Sequence, residues 1–309
     1  LASFNNRVGE VGLNKEGKEM KIIDYQNCDS IIVCFTISGN HIHTQYGNFK
    51  RGGVTDCNYE LERIGEVNNN TLGSRMEIIK YINSKDIVVK FDNGFSIKCS
   101  YGQFKSGELR SPYDKTTCNV GYFGEGEYKV RVGDEMTKQY YAWGAMMHRC
   151  YYDKYLQNKT TYKDVTVCKE WHNFQNFAKW HDENYYTINE DVMHLDKDIL
   201  IRGNKIYSPE TCVFVSQNIN SLFLKSDKAR GEYPIGVGYR KDMDNYSARC
   251  GTNDGGRKDL GYYNTPEKAF SVYKVFKEQT IKNVADKYKE YIPPKLYDAM
   301  YKYIVDIND

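Results

Sequence analysis

Apolar side chains fall on alternate positions at Met20 and Ile22 and again at Ile31, Val33 and Phe35, and the same alternation returns at Met76, Ile78, Ile87, Val89 and Phe91. A period of two is the signature of strands with one buried face, and the Gly and Asn clusters between them mark turns. The alternation belongs to a repeat. Arg7, Gly17, Met20, Ile22 and Tyr25 recur 56 residues later as Arg63, Gly73, Met76, Ile78 and Tyr81, and Tyr46, Phe49 and Gly52 recur after 55 as Tyr101, Phe104 and Gly107. Each copy is expected to form a small curled β-barrel or meander, residues 1–57 and 58–112. A chain of ~50 residues buries little surface alone, so the copies are expected to pack as one binding module. A duplicated spacer is the plainer alternative.

The pattern then changes period. Gly and Pro punctuate residues 108–135, so 113–136 is read as a linker. Beyond it Tyr140, Trp143, Met147, Cys150 and Tyr151 have helical spacing, as do Trp171, Phe174, Phe177 and Trp180; both are amphipathic core helices. Ile199 to Ile201 is strand-like, and Gly203-Asn204 and Ser208-Pro209-Glu210 are turns. Three further strands are expected near Gly236-Val237, Asn245 to Arg249 and Leu260 to Tyr263. A helix then opens at Thr265-Pro266-Glu267, with Thr265 as cap and an Ala269, Tyr273, Phe276 stripe. After Pro293-Pro294 a last helix, with Leu296 and Met300 on one stripe, is expected to dock on the preceding domain or on a second copy of the chain. The fold class is α+β: tandem β-repeats, a mixed core over 137–230, a three-stranded sheet plus helix over 231–290, and a terminal helix over 291–309.

Composition narrows the function classes. At 309 residues, two or three modules are expected rather than one. A mean hydropathy of -0.71, with no apolar run near bilayer length, gives no candidate membrane span. The first twenty residues contain no apolar stretch of secretory type, so export is not expected. The 9 cysteines are scattered without a CxxC pair, as in a reducing cytosol. The net charge is only +2, which makes any attraction to nucleic acid local; residues 201–289, with 16 basic against 10 acidic side chains, are the one candidate footprint. Phosphate-loop, GxSxG and GxGxxG patterns are absent, and His148, His172 and His181 form no HExxH arrangement.

The segment from Met193 to Asn220, MHLDKDILIRGNKIYSPETCVFVSQNIN, carries the densest chemistry. Its order of a His and Asp, a turn with Asn, a strand and a closing helix with Asn resembles the HNH nucleases of phage and mobile-element origin, over roughly residues 137–225. In that family a β-hairpin and a helix surround one divalent ion and a His activates water. The resemblance implies His194 as base, Asn204 as the brace of the loop, and Asn220 as a metal ligand for Mg²⁺ or another divalent cation, with Asp196 a substitute ligand. The residue before the base is often an acid or His in that family; here it is Met193, a poor donor for a hard cation. The scaffold is therefore expected to be degenerate.

From Tyr233 onward the Gly-Val, Tyr-x-Ala and Leu-Gly-x-Tyr-x-Thr-x-Glu-x-Ala elements are similar to the Apetala or ethylene-response-factor type of DNA-binding domain, over ~50 residues. Such domains lay their sheet in the major groove, which implies Tyr239, Arg240, Lys241, Tyr246, Arg249, Arg257 and Lys258 as nucleic-acid contacts. Arg240 and Arg249 are the implied base readers, since a guanidinium bonds guanine bidentately. Interleaved Asp242, Asp244, Asp254 and Asp259 weaken the net attraction. The two resemblances together lead to the expectation of a phage-encoded, cytoplasmic protein that binds double-stranded DNA in the bacterial host, with metal-dependent cleavage where the HNH-like site is active. The alternative is a non-catalytic binder that inhibits a host anti-phage defence complex, for which the 28 tyrosines are suited.

Overall fold

The alternating stretches of the N-terminal segment are strands. In a computed structural model, which describes residues 6–56, 63–158, 162–189, 191–224, 232–252 and 255–307, the chain divides into a unit of residues 1–114 and a unit of residues 115–309. The first contains β1 (Val11–Leu13), β2 (Glu19–Asn27), β3 (Ser30–Phe35), β4 (His41–Thr44) and α1 (Tyr46–Lys50), then β5 (Val67–Asn69), β6 (Arg75–Asn83), β7 (Asp86–Phe91), β8 (Ser96–Cys99) and α2 (Tyr101–Ser106). Each set of strands is an antiparallel meander in sequence order. The register slips after Ile22 and Tyr25 in β2 and after Ile78 and Tyr81 in β6, so the two copies curl at corresponding residues. The first hairpin turn is dictated by one asparagine in each copy: the Asn14 side chain accepts from the Glu16 and Lys18 amides, and Asn70 from Leu72 and Ser74.

Each meander closes on a core of its own. Met20, Ile22, Ile31, Val33, Phe35 and Phe49 fill the first, and Met76, Ile78, Ile87, Val89, Phe91 and Phe104 the second. Each meander is tied to its helix by the same four polar residues. Glu10 accepts from the Tyr46 hydroxyl at 3.1 Å and pairs with Lys50 at 3.0 Å, while the Arg7 guanidinium lies 4.4 Å from the Tyr46 ring centre. Glu66 meets Tyr101 at 3.1 Å and Lys105 at 3.2 Å, with Arg63 4.0 Å from the Tyr101 ring. Partial burial alone would raise the two carboxyls, but hydrogen bonds from lysine and tyrosine hold both below the usual range.

In the second unit a small hairpin, β9 (Arg131–Val132) and β10 (Glu135–Met136), leads into α3 (Lys138–Tyr151), capped by Thr137. Then follow α4 (Asp153–Asn158), β11 (Thr166–Val167), a 3-10 turn over Lys169–His172, α5 (Phe174–Asn184), β12 (Met193–Asp196), β13 (Ile206–Tyr207), β14 (Val213–Ser216) and α6 (Gln217–Ser221). The chain ends with β15 (Val237–Arg240), β16 (Asn245–Gly251), β17 (Arg257–Tyr263), α7 (Pro266–Tyr288) and α8 (Pro294–Tyr301). Residues 115–136, turn-rich in sequence, are packed chain: Gly121 lies so close to Trp143 that a Cβ would come within 2.7 Å of its ring, and Tyr128 exchanges backbone hydrogen bonds with the Gln175 amide. Trp171 lies on the 3-10 turn, since the Asn173 side chain caps the helix that begins only at Phe174. Trp171 still joins the aromatic core, accepting from Trp143 Nε1 at 2.7 Å through its carbonyl.

The β12–β14 hairpin separates two cores. Met193, Leu195 and Phe214 face the aromatic core of α3 and α5, with Trp143, Trp171, Phe174 and Phe177. Val213 and Val215, on the opposite face, pack with Ile219 of α6 and with Ile281, Val284, Leu296 and Met300 of α7 and α8. Terminal helix α8 thus docks within its own unit. At 23 residues α7 is about 34 Å long by helical rise. Its first turns cover the three-stranded sheet through Phe270 and Tyr273, and its last turns complete the hairpin's second core. Among the described residues no helix is long and apolar enough to cross a membrane.

Candidate functional site

Strand β12 pairs with β14 in register Met193 to Ser216, His194 to Val215, Leu195 to Phe214 and Asp196 to Val213. Alternation therefore puts His194 and Asp196 on the face that receives α6, and Met193 on the aromatic core side, 9% exposed. Met193 is a packing residue whose direction is opposite to that of the imidazole. His194 is half-buried and has no hydrogen-bond partner among the described residues.

Asp196, Lys197 and Asn204 of this segment are engaged by the backbone. Asp196 Oδ1 accepts from the Asp198 and Ile199 amides, both at 2.8 Å. This turn ends the strand, which is why Ile199 to Ile201 is a bend and not the strand that its composition suggests. Burial raises the Asp196 carboxyl, partly offset by those two amides. The Asn204 side chain donates to the carbonyls of Lys197 at 2.9 Å and Ile206 at 2.7 Å and accepts from the Ile206 amide, bracing the loop in three places. The nearly buried Lys197 amine donates to both Asp198 oxygens at 2.7 Å and to the Asn204 carbonyl at 2.9 Å. Asn220 stands half-buried on α6, a five-residue helix capped by Ser216.

As arranged, these donors do not fit a resident Mg²⁺. A hard cation needs several converging oxygens. Here the Asp196 carboxylate holds a turn, the Asp198 carboxylate is paired with Lys197, and the Asn204 oxygen is bonded. Among the described residues no group of three or more His, Cys, Asp or Glu side chains is placed to hold a metal ion. The other histidines of this unit serve elsewhere: His148 lies against Tyr152 in a tilted ring contact, His172 Nε2 bonds the Val167 carbonyl, and His181 is enclosed by Phe177, Tyr185 and Phe214.

The three-stranded sheet is built differently. Gly236 opens it with φ +78°, and a Cβ there would lie 2.1 Å from the Tyr273 ring, so only glycine lets the strand settle on α7. Val237 and Cys250 face the helix. Pairing Gly238 to Ser247 to Tyr262, Arg240 to Asn245, Arg249 to Asp259 and Gly251 to Arg257 puts the alternate set on the other face, which α7 leaves open. Arg240, Arg249 and Arg257 therefore share this outer face. Arg240 forms a fork with Asp242 at 2.9 and 2.6 Å and lies 5.6 Å from the Tyr262 ring. The hydrogen bond and charge of Asp242 raise the Arg240 guanidinium, and Arg240 in turn lowers Asp242. Arg249 pairs with Asp259 at 2.6 Å.

The other implied contacts lie elsewhere. Lys258 extends toward the helix side, its amine 5.1 Å from the Phe276 ring. Tyr239 and Tyr246 have helix-side parity and cluster with Tyr233, and the Tyr239 hydroxyl is held by Asp244 at 2.6 Å. Lys241 is exposed in the β15–β16 turn. Two outer-face residues were not singled out from sequence. Tyr262 is 46% exposed beside Arg240, and Asn245 keeps a buried Oδ1 without a partner. Counting strand parity from the buried Cys250 would have found both, except that the bulge between Ala248 and Arg249 shifts the count in β17. Set against known proteins, the chain matches no family model, no curated protein and no solved structure.

Proposed function

We propose that the chain binds double-stranded DNA through the outer face of the β15–β17 sheet, on an HNH-like body whose polar groups maintain the fold. The observation that carries this reading is the open face itself, bearing Arg240, Arg249 and Arg257 beside Tyr262 while the opposite face is packed on α7. Both ion pairs on it lie at the surface, where an aspartate is easily exchanged for a phosphate or a base edge. Arg240 and Arg249 are the base-reading candidates, and Arg257 and Lys241 the phosphate contacts. The test is a mobility shift of the full chain on duplex DNA. Affinity falls steeply between about 50 and 200 mM salt, and R240A with R249A removes the shift; binding that survives both changes refutes the reading. Plasmid incubated with Mg²⁺ or Mn²⁺ stays supercoiled, and nicking abolished by H194A would instead assign metal-dependent cleavage to this chain.

A second reading, a non-catalytic protein binder directed at a host defence complex, is favoured by one observation on the first unit. Val8, Val11 and Ile23 are exposed, and so are their counterparts Ile64, Val67 and Ile79. Apolar residues retained at equivalent exposed positions in two copies suit a protein surface more than a solvated one. Under this reading V11D with V67D abolishes capture of a stoichiometric host protein from nuclease-treated lysate, and R240A leaves it intact.

A further inference from the structure

Where α8 packs against the last turns of α7, tyrosines of one helix meet lysines of the other. Lys282, Asp286 and Lys289 recur at spacings of four and three, which places them on one face of α7 and of the residue that follows it. Tyr297 and Tyr301, four apart, share a face of α8. Their rings stack with centres 5.3 Å apart and planes 27° from parallel. The Lys282 amine lies over Tyr301, 5.5 Å from its centre, and the Lys289 amine over Tyr297 at 5.6 Å. Asp286 is occupied by the Tyr297 hydroxyl, which donates to it at 2.8 Å and fixes that ring. The core between the helices is made by Ile281, Val284, Leu296 and Met300, and Tyr301 stands outside it, 42% exposed. Among the described residues no carboxylate lies within ion-pair distance of the Lys282 or Lys289 amine.

We propose that this strip is a stacking platform for single-stranded nucleic acid, with Tyr301 as the ring that receives a base and Lys282 and Lys289 as contacts to the phosphates. Over residues 282–302 five lysines stand against three acids, a surplus that selects a polyanion. The aromatic part selects unpaired bases. A cation over an exposed ring is held weakly, and a base stacks on the same ring more strongly, so an arriving base displaces the amine, which turns on its flexible stem to the phosphate. Every base has a π face, so the platform is indifferent to sequence; a duplex, whose bases are already stacked on one another, does not use it. The strip lies at the end of α7 away from the β15–β17 sheet and acts independently of Arg240 and Arg249.

Fluorescence anisotropy of a dye-labelled oligothymidylate, titrated with the full chain carrying R240A and R249A so that the sheet face does not contribute, tests the proposal. Saturable binding is expected, weakened about tenfold by Y301L and retained in Y301F, as a ring that acts by stacking requires. K282A weakens it a few-fold and flattens its salt dependence. An abasic strand of the same length is expected to bind far more weakly than the oligothymidylate. Equal binding of the two strands, undiminished binding in Y301L, or no binding at all overturns the proposal. Should Y301L fail to fold, photocross-linking of the unaltered chain to a bromouracil-substituted strand decides: adducts at Tyr301 or Tyr297 are expected, and adducts confined to other residues overturn it.

Discussion

The loop between β12 and β14 and the outer face of β15–β17 both carry dense polar sequence, and the fold uses them in opposite ways. In the loop three polar side chains hold the backbone: Asp196 accepts from two amides, Asn204 bonds three peptide groups, and Lys197 donates to a carbonyl as well as to a carboxylate. On the sheet the charged groups bond one another across solvent, Arg240 with Asp242 and Arg249 with Asp259. A group holding a peptide cannot leave without unmaking local structure. A surface ion pair is worth little and exchanges readily. Polar residues that look like a catalytic constellation in sequence can thus be the framework of the loop that carries them.

Substitution should separate the two regions most clearly in stability. D196A and N204A are each expected to cost about 1 to 2 kcal/mol in chemical denaturation, because exposed and part-buried backbone groups of the loop lose their partners, with DNA affinity of the folded fraction unchanged. A loss of DNA binding without loss of stability in N204A would move the loop to the functional side. Conversely, R249A should lower DNA affinity by roughly tenfold and leave the denaturation midpoint where it was.

A smaller effect is expected from acid. Burial lowers the His181 pKa below its ordinary 6.5, despite the hydrogen bond to Asp182 that works the other way, and Nε2 is buried without a partner. Because the folded chain takes up this proton less readily than the unfolded one, the contribution is complete above about pH 6.5 and is lost progressively as pH falls below it. Thermal midpoints across that range should drop in the unaltered chain and flatten in H181F. Equal slopes would show that the histidine is not the group responsible. The smallest change is D242N, which frees the Arg240 fork from its competitor and should raise DNA affinity by a few-fold; unchanged or weaker binding would mean the aspartate orients the arginine for its target.

What could be read beforehand followed local periodicity. The strands of the first unit and helix α3 were legible because alternation and a 3.6-residue stripe are fixed by the residues themselves, as was the Thr265 cap and Pro266 start of α7. The Ile199 strand was not, because the deciding interaction is a carboxylate three residues back that captures its amide. Nor was the sorting of Arg257 from Lys258, since a bulge in the sheet shifts the count in β17. The position of Met193 looked like a lost ligand; strand parity and the aromatic core behind it account for it as packing.

Helix α7 gives these regions a joint mechanics. Ile281 and Val284 lie under the hairpin, and Phe270 and Tyr273 under the sheet, along one uninterrupted rod. A tilt imposed on the sheet by a bent duplex would be levered, turn by turn, to the strand that bears His194. By the same token neither half can be cut out and expected to stand, because a break anywhere between them opens a greasy wound in both.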